Sequence, residues 1–391
     1  MKKTLSLMIV LALILLIFTG CAGQATANTN TSQADSTSSV QETDEVSPEP
    51  FTIGVALEPS GSVGASWKLN FATMVEALGG KVVYQANDFS SDGTILAVEK
   101  LITAGADGIM IVPFADSVLP RITQLCEEAG VYWSIFFRSI NDEEVRKIVE
   151  SSKYYVGNTY EDETNTAYDV GKMLGESGIK KIAIISTPKG DTTGDMREAG
   201  LSKACEEFGM EIVAEARGLS QSADTAKAVE SFIASNPDLD VIFQLATTEP
   251  SSTTTVLKTI NDTGKANQVK FSVIDFQDGL SEGLESGNII VAAGGHLVVD
   301  PTLNMAMLIN SVMGTPLSDS NMKVPISMVY LKNSADAKTY FEFVEGDTPL
   351  YGPEEIKQML SKFYNPNVNV DGFLQVAEAY SIEDVRNRHG G

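Results

Sequence analysis

A few side chains with recognition chemistry stand directly after apolar, strand-like runs. Arg138 follows one such run in Phe136-Phe137-Arg138-Ser139, and Asp275 ends another in Val273-Ile274-Asp275-Phe276. A guanidinium offers a planar fork of donors, and a carboxylate can accept from two hydroxyls at once. Together they suit the gripping of a small polar molecule by hydrogen bonds. Asp275 could instead cap a helix starting near Gln277. Phe114, after the run that ends at Pro113, offers an aromatic face. Hydrolytic chemistry would need an activated nucleophile beside a base, or a metal. The chain has no Gly-x-Ser-x-Gly and only two histidines, His296 and His389. Acidic pairs such as Asp142-Glu143 fall in helical, solvent-facing patterns. Binding without catalysis, metal or cofactor is therefore expected.

The N-terminus points to export. Lys2 and Lys3 precede an almost unbroken apolar run over residues 5–18. That is about 14 residues, short of the roughly 20 that a membrane span needs. It has the layout of a secretory signal over residues 1–20. The run ends in Phe18-Thr19-Gly20-Cys21, which resembles the bacterial lipobox and implies lipidation of Cys21. Residues 22–50 are rich in Ser, Thr, Asn, Gln and acids, with no aromatic. Such a stretch buries too little apolar surface to offset its ordering entropy, so a disordered tether is expected.

About 340 residues remain, too many for one core, and two domains are the natural division. The net charge is −24, and loss of Lys2 and Lys3 with the signal leaves 26 basic against 52 acidic residues. That balance excludes nucleic acid and an electrostatic hold on anionic lipid. A soluble, self-repelling monomer tied to the membrane by its lipid fits better. Cys126 and Cys205 each sit on a helical pattern in different halves of the chain, so both are expected as free buried thiols.

Stepping along the chain, strand and helix patterns alternate. Strands are predicted at residues 52–57, 81–85, 108–112, 131–136, 154–156, 181–186, 211–216, 241–245, 270–274 and 289–293. Several are apolar on both faces, as strands in helix-covered parallel sheets are. The expected class is α/β, doubly wound. The pattern also repeats at an offset near 130 residues. Gly79-Gly80, a strand, Ala97-Val98-Glu99 and Asp107-Gly108 are matched by Gly209, a strand, Ala228-Val229-Glu230 and Asp240-Val241. Two Rossmann-like lobes in tandem follow. In such sheets ligands sit beyond the C-terminal strand ends, which between two lobes means a cleft.

From Phe51 to Leu331 the order of motifs resembles the type I periplasmic binding proteins of the sugar class, similar to ribose- and galactose-binding proteins. The resemblance is carried by Ile53-Gly54-Val55-Ala56, by the block from Leu101 to Pro113 containing Gly105-Ala106-Asp107-Gly108, and by Val273-Ile274-Asp275-Phe276. It implies an exported solute-binding protein, anchored by lipid and facing outward or the periplasm. Such a protein would deliver a small polar solute, a sugar before others, to the permease of an ABC transporter. A sensory protein presenting a sugar or autoinducer to a signalling receptor is the alternative. The resemblance further implies that Trp67 stacks on a sugar ring, unless it packs under its helix. Arg138 would grip ring oxygens, with Phe137 where ribose-type proteins carry an aspartate. Arg197, with Asp195 nearby, would contact the ligand from the second lobe. Thr247 stands where the family has an Asn-Asp pair, and His296 where it has a hinge glutamine. The chain is expected to cross three times between lobe 1 (51–157 and 297–322) and lobe 2 (158–296 and 323–391). The segment past Lys332 departs from the compact family pattern and is expected to pack on lobe 2.

Overall fold

In a computed structural model of the chain, residues 48–88 and 90–390 are described. The expected signal, Cys21 and nearly all of the tether lie outside them. The first lobe begins β1 (Phe51–Ala56), α1 (Gly61–Leu78), β2 (Gly80–Tyr84), α2 (Ser91–Thr103), β3 (Gly108–Ile111) and α3 (Leu119–Ala129). It continues β4 (Tyr132–Ile135), α4 (Glu143–Glu150) and β5 (Tyr155–Glu161). The second runs α5 (Glu163–Glu176), β6 (Lys181–Ser186), α6 (Thr192–Phe208), β7 (Glu211–Arg217) and α7 (Ser222–Ser235). It goes on through β8 (Val241–Gln244), α8 (Ser252–Asp262), β9 (Lys270–Ile274), α9 (Leu280–Glu285) and β10 (Ile289–Gly294). The chain then returns as α10 (His296–Val312) and β11 (Met322–Ile326) before β12 (Val329–Leu331).

All ten predicted strands are present, in two sheets of order β11-β5-β4-β3-β1-β2 and β12-β10-β9-β8-β6-β7. Pairing is parallel except where β12 runs antiparallel to β10. The repeated motifs have mechanical reasons. The Asp107 carboxylate accepts from the Thr52 N–H at 2.8 Å, locking the start of β1 to the approach to β3. Asp240 does the same in the second lobe, accepting from the Lys180 and Lys181 N–H groups at 2.8 and 2.9 Å. Gly79 and Gly209 end α1 and α6 with φ of 87° and 63°, the left-handed cap that favours glycine. Cys126 and Cys205 are buried free thiols on α3 and α6.

The crossings fall later than expected at two of three places. β5 stays in the first sheet to Glu161, because Gly157 to Glu161 pair with β11, a strand the sequence did not reveal. β11 itself stays there to Ile326, and its Pro325 is tolerated because β11 is the sheet edge. The chain therefore changes lobe after Glu161, at Gly294–His296 and between Ile326 and Val329, rather than at 158, 297 and 323.

The C-terminal segment also departs from expectation. It comprises α11 (Ser334–Phe343), α12 (Pro353–Glu355) with a π-turn at Ile356–Leu360, α13 (Val370–Ala379) and α14 (Ile382–Arg388). α11 and α14 pack on the second lobe, against α9 and β12, but α12, the π-turn and α13 pack on α1, α10 and β11 of the first. Asn70 on α1 accepts from the Leu350 N–H at 2.7 Å. Asn310 on α10 donates to the Leu360 carbonyl at 2.7 Å and accepts from the Lys362 N–H at 2.8 Å. Tyr340, Tyr351, Phe373 and Tyr380 are buried in one apolar core with α1, α10 and β12. The segment straddles both lobes, its apolar side chains buried in a core shared with each.

Candidate ligand-binding cleft

The site is built around the end of β9. Asp275 has φ of 74°, a left-handed backbone that aspartate tolerates better than most residues. Its N–H donates to the Ala293 carbonyl at 2.9 Å, and its side chain turns toward Arg197 on the second turn of α6. Arg197 Nη1 donates to Asp275 Oδ2 at 2.7 Å and to the Leu245 carbonyl at 2.7 Å. Nη2 donates to Asp275 Oδ1 at 3.3 Å and to Glu163 Oε1 at 3.1 Å, and Nε to Glu163 Oε2 at 2.6 Å. A guanidinium has five N–H donors, and here each has a protein partner. Arg197 is 2% exposed and spent on holding two carboxylates. The Asp275 side chain is 46% exposed and keeps acceptor sites for a visitor. Nor does it cap a helix, since α9 starts from Gly279 without a side-chain cap.

Asp275, Arg197 and His296 line one cavity of about 830 Å³, together with Ser62 of α1 and, from the C-terminal segment, Phe341 and Glu345. Polar groups from both lobes and the segment thus converge on a space of ligand size. Burial pushes the Asp275 carboxyl up, but Arg197 and then His296 outweigh it and hold it below the ordinary aspartate range. His296 is 9% exposed at the start of α10. Burial drives its imidazole down to about 4 against the pull of Asp275. Glu161 lies 3.9 Å from His296 Nε2. Burial first, then Asp300, pushes Glu161 up to about 9. Burial also lifts Asp300 to about 7, although it accepts from Thr159 Oγ1 at 2.5 Å and the Phe137 N–H at 3.1 Å. Both shifts run toward the uncharged forms, so burial works against ion pairing in the Glu161–His296 contact. Among the described residues, Glu161 Oε1 and His296 Nδ1 are buried without a hydrogen-bond partner.

The other expected residues lie off this cavity. Trp67 is buried, and its Nε1–H donates to the Leu297 carbonyl at 2.5 Å. Its ring packs with Phe71, Phe136 and Phe137, so it supports the cavity wall from behind instead of offering a stacking face. Phe137, at φ 63°, stands edge-on to His296 at 6.2 Å. Arg138 is exposed, and among the described residues only its backbone carbonyl is engaged, accepting from Asn158 Nδ2 at 2.9 Å. Phe114 is 62% exposed at the end of β3. Asp195 accepts from the Gly190 N–H at 2.9 Å, and Thr247 Oγ1 from the Glu249 N–H at 3.1 Å, so both shape loops of the second lobe. Glu163, Glu161 and Asp300 were missed by sequence reasoning. For the two glutamates, the acidic run Glu161-Asp162-Glu163 at the end of β5 was the available signal.

Among the described residues no group of three His, Cys, Asp or Glu could hold a metal ion, and no helix is long and apolar enough to cross a membrane. The arrangement can orient a polar molecule through a fixed carboxylate and neutral donors and acceptors.

A family model described as a periplasmic binding protein domain matches residues 53–297. Among curated proteins, none matches by sequence. Solved structures share the fold. One is an ABC transporter solute-binding protein from Actinobacillus succinogenes with bound D-allose, at TM-score 0.59 and 17% identity, covering 74% of this chain and 99% of its own. A second, from Bacillus halodurans with bound myo-inositol, gives TM-score 0.55 and 14% identity over 76% and 99%. A third, a periplasmic sugar-binding protein from Pseudomonas fluorescens, gives 0.62 and 14% over 83% and 99%.

Proposed function

This chain belongs to the periplasmic binding protein family, whose members bind solutes and do not transform them, and on that premise we propose that it captures a neutral, hydroxyl-rich solute, a sugar or polyol, for an ABC permease. The observation that carries this is the Asp275 carboxylate, fixed by Arg197 and half-exposed in the 830 Å³ cavity. A pinned acceptor of that kind takes bonds from two solute hydroxyls without the entropy loss of ordering itself first. Asp278 and Glu282 also line the cavity. With them, the negative potential disfavours uronates and sugar phosphates. D-allose and myo-inositol, held by the two neighbours above, are of the favoured class. Lipidation at Cys21 would keep the loaded receptor beside its permease.

The test is a thermal-shift screen of the folded body with neutral sugars, inositols and their acidic counterparts. A ligand at 1,000 times its Kd adds about 4 kcal/mol to stability. Neutral members should raise the melting temperature and the acidic ones should not. No shift with any neutral member refutes the reading.

A further inference from the structure

We propose that the C-terminal segment forms one wall of the solute site, and that Phe341 on α11 supplies the aromatic face on which a bound sugar packs. This rests on the sugar reading of the cavity and goes beyond it, because Phe341 lies outside the residues 53–297 matched by the family model.

Three observations carry it. First, Phe341 and Glu345 line the same cavity as Asp275 and His296. Second, Phe341 is 38% exposed there, while the neighbouring Tyr340 is 1% exposed. An apolar ring left open beside polar acceptors costs solvation unless something covers it. The carbon–hydrogen face of a sugar ring is such a cover, and its hydroxyl edge can meet Asp275 at the same time. Third, the ring is held before any ligand arrives. Tyr340 packs edge-to-face on Phe341 at 5.3 Å and on Phe276 at 4.9 Å. The Tyr340 hydroxyl donates to Glu345 Oε1 at 2.7 Å. The start of α11 is fixed by Asn333, which accepts from the Asp336 N–H at 3.0 Å, and by Arg386, which pairs with Asp336 at 2.9 Å. Preorganised aromatic anchors of this kind carry much of a site's binding energy. Trp67 cannot take the role, since its indole is buried and its Nε1–H is engaged by Leu297.

The experiment uses the whole folded body and calorimetry with D-allose, D-arabinose and myo-inositol. Variants are Phe341→Ala, Phe341→Leu and Phe341→Trp. Phe341→Ala and Phe341→Leu should weaken binding by about 5- to 30-fold. Phe341→Trp should stay within about threefold of wild type. Its added indole fluorescence should also change on saturation, which a residue remote from the ligand would not show. Melting temperatures should hold, since the ring is partly exposed. Wild-type affinity in Phe341→Ala overturns this proposal alone. So does equal loss in all three variants, which would mark a general packing role. If no neutral member of the thermal-shift screen, these three included, binds the wild type, the sugar reading fails and this proposal with it; if another member binds best, the variants are read with that one.

Discussion

Replacing Asp275 with asparagine separates the two members of the cleft's central pair. Asparagine has the same shape and is among the few residues at ease with φ near 74°. Alanine would add a left-handed backbone cost of about 1–2 kcal/mol and blur the result. A carboxylate has roughly four acceptor positions, and Arg197 uses two of them, at 2.7 and 3.3 Å. The remainder face the cavity. The change removes a charged acceptor, a loss of about 1.5–3 kcal/mol. Solute binding should therefore weaken by about 10- to 150-fold. Stability should change little. The ion pair is half-exposed on the Asp275 side, and pairs open to water contribute only about 0–1 kcal/mol. Arg197→Met should behave in the opposite way. It strands Glu163, 13% exposed, and Asp275 side by side without their cation. Breaking a buried pair from one side costs about 3–5 kcal/mol. Calorimetry with the best neutral sugar from the screen, paired with melting curves, reads both. The reasoning is refuted if Asp275→Asn binds like wild type, or if it melts as early as Arg197→Met.

Further outcomes are expected. Glu161 and Asp300 keep protons in the folded state that they lose on unfolding, with folded values of about 9 and 7. Stability should then fall as pH rises from their ordinary range toward those values. His296, pushed down to about 4, opposes this only below its ordinary 6.5. From pH 7 to 9 the loss should approach about 1.4 kcal/mol per unit for the single Glu161 proton, and Glu161→Gln should flatten it in urea melts. Deleting residues 333–391 should give an unstable, aggregating chain by melting and light scattering. It would uncover Val329 and Leu331 and remove Tyr340, Tyr351, Phe373 and Tyr380 from a core shared by both lobes. Cys21→Ser should abolish lipid labelling and membrane fractionation, and unchanged fractionation would remove the anchor. Arg138→Ala should weaken binding without lowering the melting temperature if closure brings this exposed side chain onto the solute. Small-angle scattering should then show compaction on saturation with the same sugar.

The fold was legible where local chemistry fixes it. Strands buried on both faces read as apolar runs, and the glycines that end α1 and α6 announced their turns. The aspartates at 107 and 240 were visible as a repeat before their work on neighbouring N–H groups was. β11 was not legible, because Met322 to Ile326 is short and contains Pro325, which argues against a strand away from a sheet edge. Without it the polar stretch Asn158-Thr159-Tyr160-Glu161 had no partner, and β5 was cut short. The C-terminal segment misled for a related reason. Short amphipathic helices state that they will pack, but the surface they choose is a long-range matter. Here Asn70 and Asn310 on the first lobe captured half of it.

Residue type at the cleft was legible and residue role was not. Arg197 reads as a ligand contact from its place near the start of α6. Whether its donors are free depends on Glu163, 34 residues earlier, and Asp275, 78 residues later. Both carboxylates arrive from other strand ends and use the guanidinium completely. That makes Arg197 a clamp on two carboxylates, with no N–H donor to spare. Trp67 follows the same logic. Its position after β1 suits a stacking platform, yet the Leu297 carbonyl at the hinge engages its indole and draws the ring into the first lobe's aromatic cluster. A hydrogen bond across 230 residues decides that, and no local pattern encodes it. The cavity is lined from two lobes and an added segment, by groups distant in sequence. Their identities can be read from the chain, but the spare hydrogen-bonding capacity of each is settled only when all have met.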